Sequence, residues 1–126
     1  MLKVLIADDS RFQRQMLASF LPPKRFEILF AVDALQTWMM ALRSTPDLIL
    51  LDINMPGGTG IEVLKRLRVS NKTQQIPVIV VSSAESATTE ATARDLGALD
   101  FIHKPVDQQK LNDAIGRALG PQANKS

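Results

Sequence analysis

Pro46-Asp47-Leu48-Ile49-Leu50-Leu51-Asp52-Ile53-Asn54-Met55-Pro56-Gly57-Gly58 decides the fold. Leu48 to Leu51 is an unbroken apolar run between turn residues, the pattern of a parallel-sheet strand buried on both faces. The run stops on a carboxylate, and Pro56, Gly57 and Gly58 turn the chain. A charged group at the carboxyl end of a central strand stands where open α/β sheets bind ligands. A lone loop aspartate ordinarily caps a helix or is solvated, so Asp52 gains weight only from the rest of the chain.

Working outward, the same alternation recurs on both sides. Val4 to Ala7 reads as a first strand, followed by Asp8-Asp9. Ser10 to about Leu21 carries Phe12, Met16 and Phe20 at helical spacing, with Leu17 and Leu21 widening the stripe, until Pro22-Pro23 stops it. Phe26 to Val32 reads as an edge strand. Asp33 with Gln36 three residues on is a capping box, and Leu35, Trp38, Met39 and Leu42 are expected to form that helix's core face.

Downstream, Gly60 to about Arg68 places Ile61, Leu64 and Leu67 inward, with Lys65, Arg66 and Arg68 expected mostly on the solvent side. Pro77 to Ser83 is a fourth strand. An alanine-rich helix from Glu85 to Leu96 closes at Gly97. Leu99 to His103 is a fifth strand, and Asp107 caps a last helix facing the core with Leu111, Ile115 and Leu119. Five strands alternating with five helices through short loops predict a doubly wound α/β fold around a parallel sheet. Residues 1–120 form the expected domain and 121–126 a polar tail.

The composition bounds the function. The 126 residues are 45% hydrophobic, enough for one core. Fifteen basic and thirteen acidic residues give +2, too even to make nucleic acid or a membrane the main partner. The absence of cysteine excludes thiol chemistry, and a single histidine excludes a His-rich metal site. No stretch has the length of a signal peptide's apolar region or a membrane span, and a cytoplasmic location is expected.

Polar groups follow the apolar runs at several strand ends: Asp8-Asp9, Asp52, Ser82-Ser83 and Lys104-Pro105. In a parallel sheet these ends share one edge. Clustered carboxylates need a cation, a proton or a lysine to coexist. Hard oxygen ligands beside a phosphate suit Mg²⁺, and a lysine suits a transferred phosphoryl group as a point charge. The set fits phosphoryl transfer to an aspartate, with catalysis by positioning and charge neutralisation.

The motifs Asp8-Asp9, Asp52-Ile53-Asn54-Met55-Pro56 with Gly60, Ser83-Ala84 and Lys104-Pro105, in order at the right element ends, resemble the receiver domain of a bacterial two-component response regulator of the single-domain, chemotaxis type. The resemblance covers residues 2–119. It implies a flavodoxin-like five-stranded parallel sheet of order 2-1-3-4-5. It implies Asp52 as phosphoacceptor and Mg²⁺ held by Asp9, Asp52, the Asn54 backbone carbonyl and, through water, Asp8. Lys104 pairs with the phosphoryl group, Ser83 is the switch hydroxyl and Phe101 the switch aromatic. The Lys104–Pro105 bond is expected to be cis.

Within that resemblance Ser82 rivals Ser83, but alternation places Ser83 with Ile79 and Val81. Phe101 lacks the hydroxyl of the tyrosine in some relatives. Asn54 and Glu85 flank the site. His103 reads as a strand-end surface residue without a partner motif. The implied function is a signalling switch rather than an enzyme. A histidine kinase or phosphotransfer protein phosphorylates it, and it acts on a protein at the surface of the fourth helix, fifth strand and fifth helix. That role leaves room for a phosphorylation-dependent homodimer. The competing reading is a phosphorylation-independent interaction or dimerisation module. A flavin carrier lacks its phosphate cradle here, and an aspartyl-phosphate hydrolase lacks its second carboxylate, since Asn54 stands there.

Overall fold

The computed structural model describes residues 1–83 and 86–120. Leu2–Ala7 (β1), Phe26–Ala31 (β2), Leu48–Leu51 (β3), Val78–Ser82 (β6) and Asp100–His103 (β7) form one sheet in the order β2-β1-β3-β6-β7. Every pairing in it is parallel. This is the expected order. Two strands not foreseen, Asn54–Met55 (β4) and Gly58–Thr59 (β5), make a small antiparallel hairpin directly after Asp52. The Pro-Gly-Gly turn folds back on itself there instead of running out as a loop.

Helices cover both faces. They are Arg11–Ser19 (α1), Ala34–Ser44 (α2), Gly60–Val69 (α3), Ala87–Asp95 (α4) and Gln108–Leu119 (α5). Strand residues alternate between two cores, as a period of two requires. Leu5, Ile49, Leu51, Val78, Val80 and Phe101 pack with α2, α3 and α4. Val4, Ile6, Leu48, Leu50, Ile79, Val81 and Ile102 pack with α1 and α5. At about 25 cal/mol per Å² of apolar surface, such fully buried side chains each contribute roughly 1.5–3 kcal/mol.

Side chains at the helix starts satisfy free backbone N–H groups. Ser10, Asp33, Thr59, Ser86 and Asp107 accept from the first turns of α1 to α5 respectively. The Gln36 side chain reaches back past the cap residue and accepts from the Val32 N–H. α4 begins at Ala87, later than expected, and Ala84 and Glu85 lie outside the described residues. Gly97 follows α4 with φ +89°, a conformation that favours glycine.

Three helix-face expectations need correction. Phe12 is 72% exposed, and α1 instead buries Leu17. α2 buries its small residues Ala34, Thr37 and Ala41, while Leu35 is 60% exposed and Met39 borders on solvent. Arg68 turns inward. Its Nε donates to the Leu96 carbonyl at 2.9 Å and its Nη1 to Gln74 and Ile76 at 2.9 and 3.0 Å. Its Nη2 donates to Gly97 at 3.2 Å. Partial burial pushes the guanidinium below its ordinary value, and the carbonyls supply the acceptors that a half-buried cation needs. Among the described residues no helix is long and apolar enough to cross a membrane.

Candidate functional site

Sheet register brings the strand-end acids together. Ala7 stands opposite Leu51, so Asp8 and Asp52 leave adjacent strands side by side. The Asp52 N–H donates to the Ala7 carbonyl at 2.9 Å. Both carboxylates are buried, Asp8 at 1% exposure and Asp52 at 4%. Asp9 is exposed, yet one oxygen from each of Asp8, Asp9 and Asp52 lies within 4.8 Å of the others.

Lys104 bridges the buried pair. Its Nζ donates to Asp8 Oδ2 at 2.8 Å and sits 3.5 Å from Asp52 Oδ2. The lysine is held by its own backbone, whose N–H donates to the Ser82 carbonyl at 3.0 Å. The Lys104–Pro105 peptide is cis. Burial, then the charge of Asp8, pushes the Asp52 carboxyl above its ordinary value, against the opposing pull of Lys104 and the Asn54 N–H. Asn54 donates that N–H to Asp52 Oδ1 at 3.3 Å.

The loop beyond Asp52 is fixed by close approach. The Gly60 N–H donates to the Ile53 carbonyl at 2.8 Å. A Cβ on Gly60 would lie 2.4 Å from the Asp52 carbonyl oxygen. The start of α3 therefore packs backbone to backbone on the residue that carries the central carboxylate. Asp8 has comparable support. Its Oδ1 accepts from the Ser10 N–H at 2.9 Å, and its carbonyl accepts from Arg14 Nη1 at 2.9 Å. Arg14 is the residue that sequence reasoning missed. Its only signal was a cation one turn into a helix starting at an acidic pair.

Strand parity places the other candidates. Val4 and Ile6 lead to Asp8, Leu48 and Leu50 to Asp52, and Ile102 to Lys104, all on the α1–α5 face. Ile79 and Val81 lead by the same parity to Ser83, which is exposed just past β6. Ser82 is buried, with the opposite parity. Phe101 is buried in the α2–α3–α4 core, its ring 5.0 Å from that of His103. His103 is exposed but not without a partner: its Nε2 lies 3.2 Å from Glu90 Oε1 on α4. Asp100 bonds to Arg117 of α5 and pairs with Arg94 of α4 at 3.5 Å.

The donor set fits Mg²⁺. It consists of oxygens from three carboxylates, two of them buried, with one exposed toward incoming ligands. A lysine already shares the negative charge.

Comparison with known proteins agrees with this fold. A family model described as the response regulator receiver domain matches residues 4–116. Protein PilH of Pseudomonas aeruginosa is 32% identical over 119 residues, covering 94% of this chain and 98% of that protein. The response regulator PleD of Caulobacter vibrioides is 32% identical over 109 residues, 86% of this chain but 24% of the longer protein. Among solved structures, the chemotaxis response regulator CheY4 of Vibrio cholerae superposes with a TM-score of 0.85 at 29% identity, covering 94% of this chain and 99% of that one.

Proposed function

The chain belongs to the response regulator receiver domain family of two-component systems, and from that premise we propose that it is a switch phosphorylated on Asp52. A histidine kinase or phosphotransfer protein supplies the phosphoryl group. An Asp52 Oδ attacks phosphorus as the bond from phosphorus to the donor nitrogen breaks, and the donor imidazole leaves with its electron pair. The observation that carries this reading is the Lys104 ammonium lodged between the buried Asp8 and Asp52 carboxylates. It is a fixed positive charge beside the acceptor, and phosphoryl transfer needs little more from protein than positioning and charge.

Asp9, Asp52 and the Asn54 backbone carbonyl would hold Mg²⁺, with Asp8 acting through water. The ion supplies neutralisation of the acids and of the phosphoryl oxygens. Lys104 turns from the carboxylate pair to the phosphoryl group. Ser83, which continues the parity of the Asp52 face, donates its hydroxyl to a phosphoryl oxygen. Phe101 then shifts within its core, and the surface formed by α4, β7 and α5 changes toward a downstream protein. The ion pairs of Glu90, Arg94, Asp100, His103 and Arg117, which join those three elements, support this route. Two packings biased by one charge change suffice for such a switch.

The test is intact mass after incubation with acetyl phosphate, with and without Mg²⁺, beside Asp52→Ala. A Mg²⁺-dependent phosphoryl increment in the parent alone is expected. Undiminished labelling of Asp52→Ala would overturn the assignment of the acceptor. No labelling of folded, Mg²⁺-binding parent would favour a phosphorylation-independent interaction module.

A further inference from the structure

α2 leaves part of its apolar surface uncovered. Its inward face is built from Ala34, Thr37 and Ala41, with the Thr37 hydroxyl satisfied by the Asp33 carbonyl at 2.8 Å. Two of its larger apolar side chains face solvent, Leu35 at 60% exposure and Met39 at 36%, while Trp38 and Met40 pack against the margin of the core. Residues four apart share a helix face, so Leu35, Met39 and the exposed Arg43 form one stripe. Beside it, Leu35 and the half-buried Trp38 line a groove shared with Val63 and Arg66 of α3 and Gly57 of the hairpin. Single exposed apolar residues are ordinary, but a contiguous apolar strip along a groove marks an interaction surface.

Charge says what fits there. Arg66 sits at the rim, its Cζ 6.0 Å from the Trp38 ring centroid. The exposed Lys65 lies on the same helix and Arg43 at the end of the α2 stripe. Among the lining residues Arg66 is the one base and Glu62 the one acid, so the basic excess of the surface comes from the exposed Arg43 and Lys65 outside the groove. A second copy would bring the same Arg43, Lys65 and Arg66 to the other side of the interface, with Glu62 of each groove as the offsetting acid, so the two faces would meet with like net charge. An apolar helix bordered by carboxylates meets the strip with its side chains and the rim with its charges.

We propose that the groove between α2 and α3 docks an amphipathic helical segment of a partner protein, apolar along one stripe and acidic along its borders. The site is separate from the α4–β7–α5 surface and does not depend on phosphorylation of Asp52.

Trp38 is the only tryptophan in the chain, so its fluorescence reports on the groove directly. The probe is a synthetic helical peptide with leucine and phenylalanine at i, i+3, i+4 and i+7 and glutamates on both borders. Titrated into the full chain, it should shift Trp38 emission to the blue saturably, with affinity falling as salt rises. Leu35→Glu should weaken binding about tenfold or more, the scale of losing an anchor residue. Arg66→Glu should weaken it and flatten the salt dependence. Leu35 is exposed, so the variant should fold; should its circular dichroism differ from the parent's, Met39→Glu takes its place. No saturable change, equal binding of a lysine-bordered peptide, or unaltered affinity of the Leu35 or Met39 variant would overturn the proposal. A concentration-dependent dimer in sedimentation that Leu35→Glu dissolves would assign the groove to a second copy and overturn it equally.

Discussion

Gly60→Ala adds one methyl group where two backbones already touch. The new Cβ would stand 2.4 Å from the Asp52 carbonyl oxygen, 2.8 Å from Ile53 Cα and 3.1 Å from the Asp52 carbonyl carbon. Comfortable contact for such atoms begins near about 3.5 Å, so α3 and the end of β3 must separate by roughly an ångström. No flexible side chain can give way, since every clashing atom is backbone. The Gly60 N–H bond to Ile53, now 2.8 Å, would be stretched beyond useful length. Overpacking at about 1–3 kcal/mol and a lost hydrogen bond at about 1 kcal/mol are offset by at most about 1 kcal/mol from removing a helical glycine. A net loss of about 1–4 kcal/mol is expected, or a fall in Tm of about 5–15 °C at this chain length. The strain falls on Asp52 itself, and misplacement by about an ångström can cost about a hundredfold in rate.

The assay pairs urea denaturation, read as a lower midpoint at unchanged slope, with the initial rate of phosphoryl uptake from acetyl phosphate. Gly57→Ala is the control. At φ +78° with nothing within 4 Å of its Cβ position, it should cost only the left-handed backbone penalty, about 1–2 kcal/mol, and leave uptake near normal. A Gly60→Ala protein within about 0.5 kcal/mol of the parent, the usual range of a neutral surface change, with normal uptake would refute the close-approach argument.

Asp52→Asn should raise stability in Mg²⁺-free buffer by about 1 kcal/mol at neutral pH, the low end of what removing a buried charge conflict yields. With the native pKa raised, the folded state binds the extra proton, so the parent loses stability as pH rises through that value. The advantage of the variant should therefore vanish in acid, and urea midpoints across a pH series would expose the opposite trend. Asp100→Asn should behave inversely. Burial raises the Asp100 carboxyl, but the bonds from Arg117 and the Phe101 N–H and the charges of Arg117 and Arg94 carry it below its ordinary 3.8. Its contribution is present above that value and lost as pH falls through the native one, so parent and variant should converge only in strong acid. The partly exposed arginines limit the difference at neutral pH to about 1 kcal/mol. Lys104→Met leaves two buried carboxylates facing each other without their cation. Without Mg²⁺ it should cost about 3 kcal/mol, and millimolar Mg²⁺ should restore part of it; a chelator-independent melting temperature equal to the parent's would contradict the bridging role.

The sheet was legible because its strands are short apolar runs bounded by turn residues and alternating with helical patterns, as at Leu48 to Leu51. The site acids were legible because each follows such a run. The helix faces of α1 and α2 were not. Phe12 and Leu35 have the right spacing for a core stripe, but α2 turns Ala34, Thr37 and Ala41 to the sheet, with Trp38 and Met40 at the margin of that core. Periodicity alone does not choose between that face and the one carrying Leu35 and Met39. Arg68 was misplaced for a related reason. Its charge predicts solvent, whereas carbonyls from residues distant in sequence, which no local pattern reveals, make an inward position acceptable. The β4–β5 hairpin was hidden because two-residue strands carry no period at all.

Arg68 also distributes cooperativity. One guanidinium receives the carbonyls of Gln74 and Ile76 from the segment before β6 and those of Leu96 and Gly97 from the turn before β7. Neither segment can open without taking acceptors from the other's anchor. Amide hydrogen exchange in the two should therefore share a single opening free energy and respond together to denaturant, as one foldon. The end of the sheet opposite Asp52 thus behaves as a common footing, and local opening is left to the edge where the acids lie.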